Sequence, residues 1–141
     1  MAYKKRFLLG LYMLVVCAIL GLSGCATPGK TSDDSHQIAG VLAQWKTAYE
    51  AGDVQAIMRL YADNYAHKGK DKVGIEKEIA EYLKENAAFD VRVNIVDATV
   101  TLKGDRATAL PIALSGIAGS DTAKLELTKE NGCWRVSGTD L

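Results

Sequence analysis

Residues 86 to 105 read NAAFDVRVNIVDATVTLKGD, and within them the chain changes from one kind of structure to another. Before Asn86 apolar side chains recur every three or four positions; after it they alternate, and β-branched residues become frequent. Val91, Val93 and Ile95 fall on one face of an extended chain. Val96, Ala98, Val100 and Leu102 then alternate with the opposite parity, a one-residue slip of the kind a β-bulge makes, which predicts a strongly bent first long strand. Gly104-Asp105 turns the chain into a strand over Arg106 to Ser115, where Leu110, Ile112 and Leu114 alternate and Pro111 implies an edge or a bulge. Ala123, Leu125 and Leu127 mark the next strand. Glu130-Asn131-Gly132 is a hairpin signal, because Asn-Gly accepts the left-handed conformations of a tight turn. Trp134 and Val136 in the last strand face the core.

Upstream, Ile38, Val41, Leu42, Trp45 and Tyr49 form one helical stripe, with Ser35 available as an N-cap. Gly52 supplies a stop. Asp53 caps a second helix with Val54, Ile57, Met58 and Tyr61 on one side. A third helix begins near Asp71 and turns Ile75, Ile79, Tyr82 and Leu83 inward, leaving Glu76, Lys77, Glu78, Glu81, Lys84 and Glu85 as a solvated face. Three helices followed by a bent antiparallel sheet predict an α+β, cone-shaped domain with the helices packed on the concave side of the sheet.

The chain has 141 residues, 48% hydrophobic and 24% charged, with 17 basic and 17 acidic side chains, which suits one folded domain and excludes a disordered chain. Three cysteines are too few for a disulfide scaffold. Residues 1–24 carry Lys4, Lys5 and Arg6, no acid, and the apolar run Leu8 to Leu20, which is the layout of an export signal and shorter than a membrane span. Ala26 to Ser35 is small and polar with a Pro-Gly pair, a linker composition. The expected division is therefore a signal peptide over 1–24, an N-terminal linker over 25–35 and a folded domain over 36–141. Cleavage before Cys25 would leave 117 residues with 14 of the 17 basic side chains and all 17 acidic ones. A mildly acidic body without a basic stripe gives nucleic-acid binding no electrostatic basis.

Leu22-Ser23-Gly24-Cys25 resembles the lipobox of bacterial lipoproteins. The resemblance implies that Cys25 is acylated and becomes the mature N-terminus, tethering the body to a membrane; Ala26 after it implies the outer membrane, facing the periplasm. The plainer alternative is an ordinary secretory signal cut elsewhere. Under the lipoprotein reading Cys17 leaves with the signal and Cys25 is modified, so the processed chain offers Cys133 no intramolecular partner, and Cys133 reads as a small half-buried strand residue.

Trp45-(x)3-Tyr49-x-x-Gly52-Asp53, then Leu60-Tyr61-Ala62-Asp63, Gly69-Lys70-Asp71 and Asn131-Gly132-x-Trp134-Arg135-Val136 together resemble the nuclear transport factor two-like superfamily, over about residues 36 to 138. This superfamily includes ketosteroid isomerase, scytalone dehydratase and polyketide cyclase (SnoaL-like) enzymes. The resemblance implies a conical apolar cavity, and dimerisation through the convex face of the sheet. It also allows a residue-by-residue comparison with the isomerase site, which needs a carboxylate base and an oxyanion hole. The base position falls on Gly69, the helix-one tyrosine position on Trp45, and the second oxyanion donor near Lys124. None matches, so the isomerase assignment has no support.

Other chemistry is equally sparse. His36 and His67 are too few and too far apart in sequence for a metal site, and no cofactor is implied. His67 could form an acid-base pair with Asp63 or Tyr65, or be an ordinary structural histidine. Ala113-Leu114-Ser115-Gly116-Ile117 lacks one of the glycines of a nucleophile elbow. Trp45, Tyr49, Tyr61 and Tyr82, with His67, are candidates to line a ligand pocket; the same helical stripe is also what a plain core looks like. Two functional readings result. The preferred one is a lipid-anchored, non-catalytic envelope module that binds a partner protein or an apolar small molecule. The alternative is an isomerase or dehydratase-type enzyme using the cavity and His67. An open cavity with His67 pointing into it favours the enzyme; a cavity filled by Trp45 and Tyr82 favours the module.

Overall fold

The computed structural model describes residues 31–86, 90–116 and 119–140. The export signal, Cys25 and the first part of the linker lie outside them. Helix α1 spans Thr31–Glu50, α2 Val54–Met58 and α3 Lys72–Glu85. A short hairpin, β1 (Ala66–His67) with β2 (Lys70–Asp71), lies between α2 and α3. The main sheet is antiparallel and contains β3 (Arg92–Asn94), β4 (Thr99–Lys103), β5 (Arg106–Gly116), β6 (Gly119–Glu130) and β7 (Cys133–Asp140) in the order β3-β5-β6-β7, with β4 also paired to β5.

The helix boundaries follow local chemistry. Asp53 caps α2 by accepting from Ala56 N at 2.8 Å, and Asp71 caps α3 by accepting from Gly74 N at 2.8 Å. Gly52, at φ 67°, ends the turn after α1 in a conformation that suits glycine. The linker boundary needs correction. Helix α1 starts at Thr31, inside the stretch assigned to linker, so Ser35 is a helical residue rather than the N-cap. The first turn is held by tertiary contacts that composition does not reveal: Asp34 accepts from Trp134 Nε1 at 3.0 Å and pairs with Lys129. Those two donors hold the Asp34 carboxyl below its usual range.

The phase slip after Ile95 also resolves differently. The chain does not bulge there within one strand; it leaves the sheet between β3 and β4, so both short strands pair with β5. Asn94 pairs with Ala113 and Thr99 with Leu110, and Val96 is largely exposed. The irregularity lies in β5, whose register with β6 shifts between Ala109 and Ile112, at Pro111, where a missing amide donor breaks the ladder. The same shift turns Leu110 outward, 42% exposed, against the expected inward alternation. The β6–β7 turn behaves as its sequence predicts: Glu130 pairs with Cys133 across Asn131 (φ 51°) and Gly132 (φ 80°). Cys133 is half-buried and disulfide-bonded, against the expectation that it has no intramolecular partner. The other two cysteines, Cys17 and Cys25, are outside the described residues.

The core lies between the helices and one face of the sheet. Ile38, Leu42, Trp45 and Tyr49 from α1, Ile75, Ile79 and Leu83 from α3, and Ala109, Ile112, Leu125, Leu127, Trp134 and Val136 from the sheet are all buried. The described residues thus form an α+β domain on a curved antiparallel sheet, as expected.

Candidate functional site

The expected cone interior is occupied by side chains. Trp45, Tyr49 and Tyr61 are 0%, 0% and 1% exposed. The Trp45 and Tyr49 rings lie 4.1 Å apart between centroids, and Tyr61 and Tyr65 5.3 Å apart, distances at which aromatic pairs attract. Tyr61 Oη and Thr139 Oγ1 share a hydrogen bond of 2.9 Å, and Trp45 Nε1 donates weakly to Tyr61 Oη at 3.5 Å. Tyr49 Oη is buried with no hydrogen-bond partner among the described residues. Burial pushes the Tyr49 phenol well above the ordinary tyrosine range and the Tyr61 phenol up to about 12, the Thr139 hydrogen bond only partly offsetting the desolvation of the phenolate. At neutral pH these phenols are proton donors, unsuited to act as bases. Tyr82 is half-buried at the rim, and its hydroxyl lies 3.9 Å from where a Cβ on Gly116 would stand.

His67 belongs to a different cluster. Strand alternation puts Lys124 and Glu126 on the opposite face of the sheet from Leu125 and Leu127, and His67 reaches that outer face from β1. Its Nε2 is 2.7 Å from Asp140 Oδ1. Asp140 also receives Lys68 Nζ at 2.7 Å and Lys124 Nζ at 3.1 Å, while Lys124 Nζ lies 2.8 Å from Glu126 Oε1. His67 Nδ1 faces Glu126 Oε2 at 3.9 Å, too far for a direct hydrogen bond. Lys68 first, then His67 and Lys124, hold the Asp140 carboxyl far below the usual range.

Gly138 makes this arrangement possible. A Cβ there would lie 2.7 Å from His67 Nδ1 and 2.9 Å from Glu126 Oε2. Lys68 (φ 50°) and Gly69 (φ 77°) form the two-residue turn that carries His67 onto β7.

The structure therefore brings Trp45, Tyr49 and Tyr61 together and puts His67 elsewhere. The acid partners expected for His67 also change. Asp63 is paired with Lys72 at 2.8 Å and its side chain is 99% exposed; the Tyr65 ring is 6.5 Å from the imidazole. Asp140 and Glu126 are the carboxylates that face His67. Both were missed because they come from distant strands; the available signals were the Lys68-Gly69 turn and the Gly138 that leaves room for the ring. Of the isomerase-equivalent positions, Gly69 sits in the hairpin turn and Lys124 on the outer face in ion pairs with Glu126 and Asp140. Among the described residues no group of three or more His, Cys, Asp or Glu side chains converges as a metal site.

A polar trough of about 550 Å³ runs along the outer face beside this cluster, with Asn64, Thr101, Lys103, Arg106, Thr108 and Glu126 on its walls. Small grooves elsewhere include one between α1 and α2 lined by Ala48, Ala51 and Ala56.

No family profile and no curated protein sequence matches the chain. Solved structures do. An NTF2-like protein of unknown function from Pseudomonas putida superposes with a TM-score of 0.64 at 18% identity, covering 79% of this chain and 87% of that one. An NTF2-like protein of unknown function from Shewanella baltica gives 0.60 at 17% identity over 79% and 94% of the two chains. A protein of unknown function with a cystatin-like fold from Nostoc punctiforme gives 0.62 at 18% identity over 79% and 92%. At such identities the likeness concerns architecture: the fold is NTF2-like.

Proposed function

We infer that this chain is a lipid-anchored bacterial envelope protein whose NTF2-like domain is a non-catalytic binding module, with its contacts on the outer face of the sheet rather than inside the cone. The observation that carries this reading is the filled interior: Trp45, Tyr49 and Tyr61 occupy the space that an apolar ligand would need. The same packing weighs against the apolar-ligand form of the module. The outer face has exposed Thr101, Lys103, Arg106 and Thr122 beside an outward Leu110 that is 42% exposed, a mixed and mainly polar surface open to a partner.

The anchor rests on Leu22-Ser23-Gly24-Cys25 and the charged, then apolar, leader before it. Two or more acyl chains, at about 0.8 kcal/mol per buried methylene, hold a protein at a membrane where one chain holds it only marginally. The test is fractionation of cells that produce the chain with Cys25→Ala. Loss of the domain from outer-membrane fractions, with retention by the unchanged protein, supports the anchor. An unchanged distribution, or a mature chain in which Cys25 is bridged to Cys133, overturns it, because a thioether needs the Cys25 thiol.

An isomerase or dehydratase-type enzyme remains the rival, and the His67–Asp140 pair at 2.7 Å is what favours it. That pair lies on the outer face, so the rival would have to work in the trough, outside the cone.

A further inference from the structure

We propose that the outer-face trough is a binding site for a sugar bearing an anionic group, phosphate or carboxylate, with the anion held by Lys103 and Arg106 and a sugar hydroxyl by Glu126. This rests on the outer-face binding reading above and names the ligand class for it. The first support is a like-charge pair. Lys103 and Arg106 are direct cross-strand partners flanking the Gly104-Asp105 turn, and both are exposed. Like charges directly opposite each other destabilise a sheet. Among the described residues neither cation forms an ion pair, including with Asp105 in the intervening turn. The next position in that row is Thr128, and beyond it Arg135, whose guanidinium donates to Arg59 O at 2.7 Å. Two adjacent cations beside a hydroxyl are thus left facing the trough, the arrangement that a phosphate or carboxylate would relieve.

The second support is the neighbouring row. Thr101 pairs with Thr108 and Thr108 with Glu126, two residues along each strand from the cations, a distance of about 7 Å. Glu126 is held in place there. Lys124 occupies its Oε1, and His67, seated over Gly138 and bonded to Asp140, stands 3.9 Å from its Oε2. Oε2 keeps the capacity to accept from a ligand hydroxyl. The Nδ1 edge of His67 borders the same gap, and a ligand hydroxyl seated over Gly138 would lie within reach of both Glu126 Oε2 and that ring nitrogen. The trough is therefore cationic at one end, accepts hydrogen bonds at the other and carries hydroxyls between. A pyranose with a phosphate or carboxylate at one end matches that polarity and length.

The test is ligand-observed saturation-transfer NMR on the detergent-extracted full chain, with glucose 6-phosphate, glucuronate, glucose and inorganic phosphate as probes. The expected result is binding of the first two in the millimolar range, at least tenfold tighter than either glucose or phosphate alone. Lys103→Gln with Arg106→Gln should abolish it, and Glu126→Gln should weaken the sugar acids at least threefold without changing inorganic phosphate. A second readout needs no ligand: the Lys103→Gln/Arg106→Gln chain should melt at or above the temperature of the unchanged protein, since a repulsion is removed. A clear fall in its melting temperature would overturn the unrelieved pair. Binding that survives both substitutions moves the ligand elsewhere, overturning the trough assignment while the module reading stands. No binding by any probe overturns the proposal, and leaves membrane fractionation and cross-linking of the outer face to judge the module on its own.

Discussion

Replacing Gly138 with alanine places a methyl carbon 2.7 Å from His67 Nδ1, 2.9 Å from Glu126 Oε2 and 3.2 Å from His67 Cε1. Carbon cannot approach a ring nitrogen that closely, so the imidazole must withdraw, and withdrawal breaks the 2.7 Å contact with Asp140 that joins the β1–β2 hairpin to β7. Overpacking of this kind costs about 1–3 kcal/mol. Alanine also narrows the unfolded ensemble relative to glycine, which offsets about 0.4–1 kcal/mol. The net expectation is a loss of about 1 kcal/mol, or roughly 5 °C in melting temperature for a domain of this size. Urea unfolding of Gly138→Ala, His67→Ala and the double variant provides the assay. Once the ring is absent the added methyl has nothing to strike, so the double variant should lose less than the sum of the two single losses, by about 1 kcal/mol. Additive losses, or a Gly138→Ala chain at least as stable as the original, would refute the steric account of the cluster.

Tyr61→Phe removes a buried hydroxyl and leaves Thr139 Oγ1 without its 2.9 Å partner; guanidinium melts should show a loss of about 1–2 kcal/mol. Because burial raises the Tyr61 phenol to about 12, its contribution is complete below about pH 10 and disappears as pH rises through 12. Unfolding free energy followed from pH 9 to 12 should decline in that window, less steeply in Tyr61→Phe. At the acid end, the depressed Asp140 carboxyl supports the fold in full above its ordinary value of 3.8 and loses that contribution progressively as pH falls from there toward its depressed folded value. Asp140→Asn should flatten the acid limb of the stability curve, and an unaltered limb would remove the cluster from acid unfolding. Asp71→Ala deletes the cap on Gly74 N and should cost about 1 kcal/mol, visible as reduced helical circular dichroism on heating.

Helix stripes and two hairpins were legible because their determinants are local. Asp53 and Asp71 cap the helices they precede in sequence, and Asn131-Gly132 makes its own turn. The bend in the sheet was legible as a slip in alternation but not at its true place. Alternation alone does not distinguish a bulge from a chain that leaves the sheet over residues 95–98 and rejoins it. Trp45, Tyr49 and Tyr61 lie together because residues on one stripe and the Tyr61–Val136 bridge share one core, whereas His67, proposed with them, joins a cluster with Asp140 and Glu126. Whether the three aromatics line a space or fill it depends on how closely helix and sheet approach.

The sequence by itself determined the order of elements, the apolar face of each helix and the turns that reverse the sheet, because periodicity, caps and left-handed residues act over a few positions. Tertiary structure alone decided that the interior is packed, that α1 extends back to Thr31 on the Asp34 contacts, and that His67 meets Asp140 across 73 positions of chain. Those outcomes depend on distances between strands and on the absence of one Cβ at Gly138, and no local pattern encodes either.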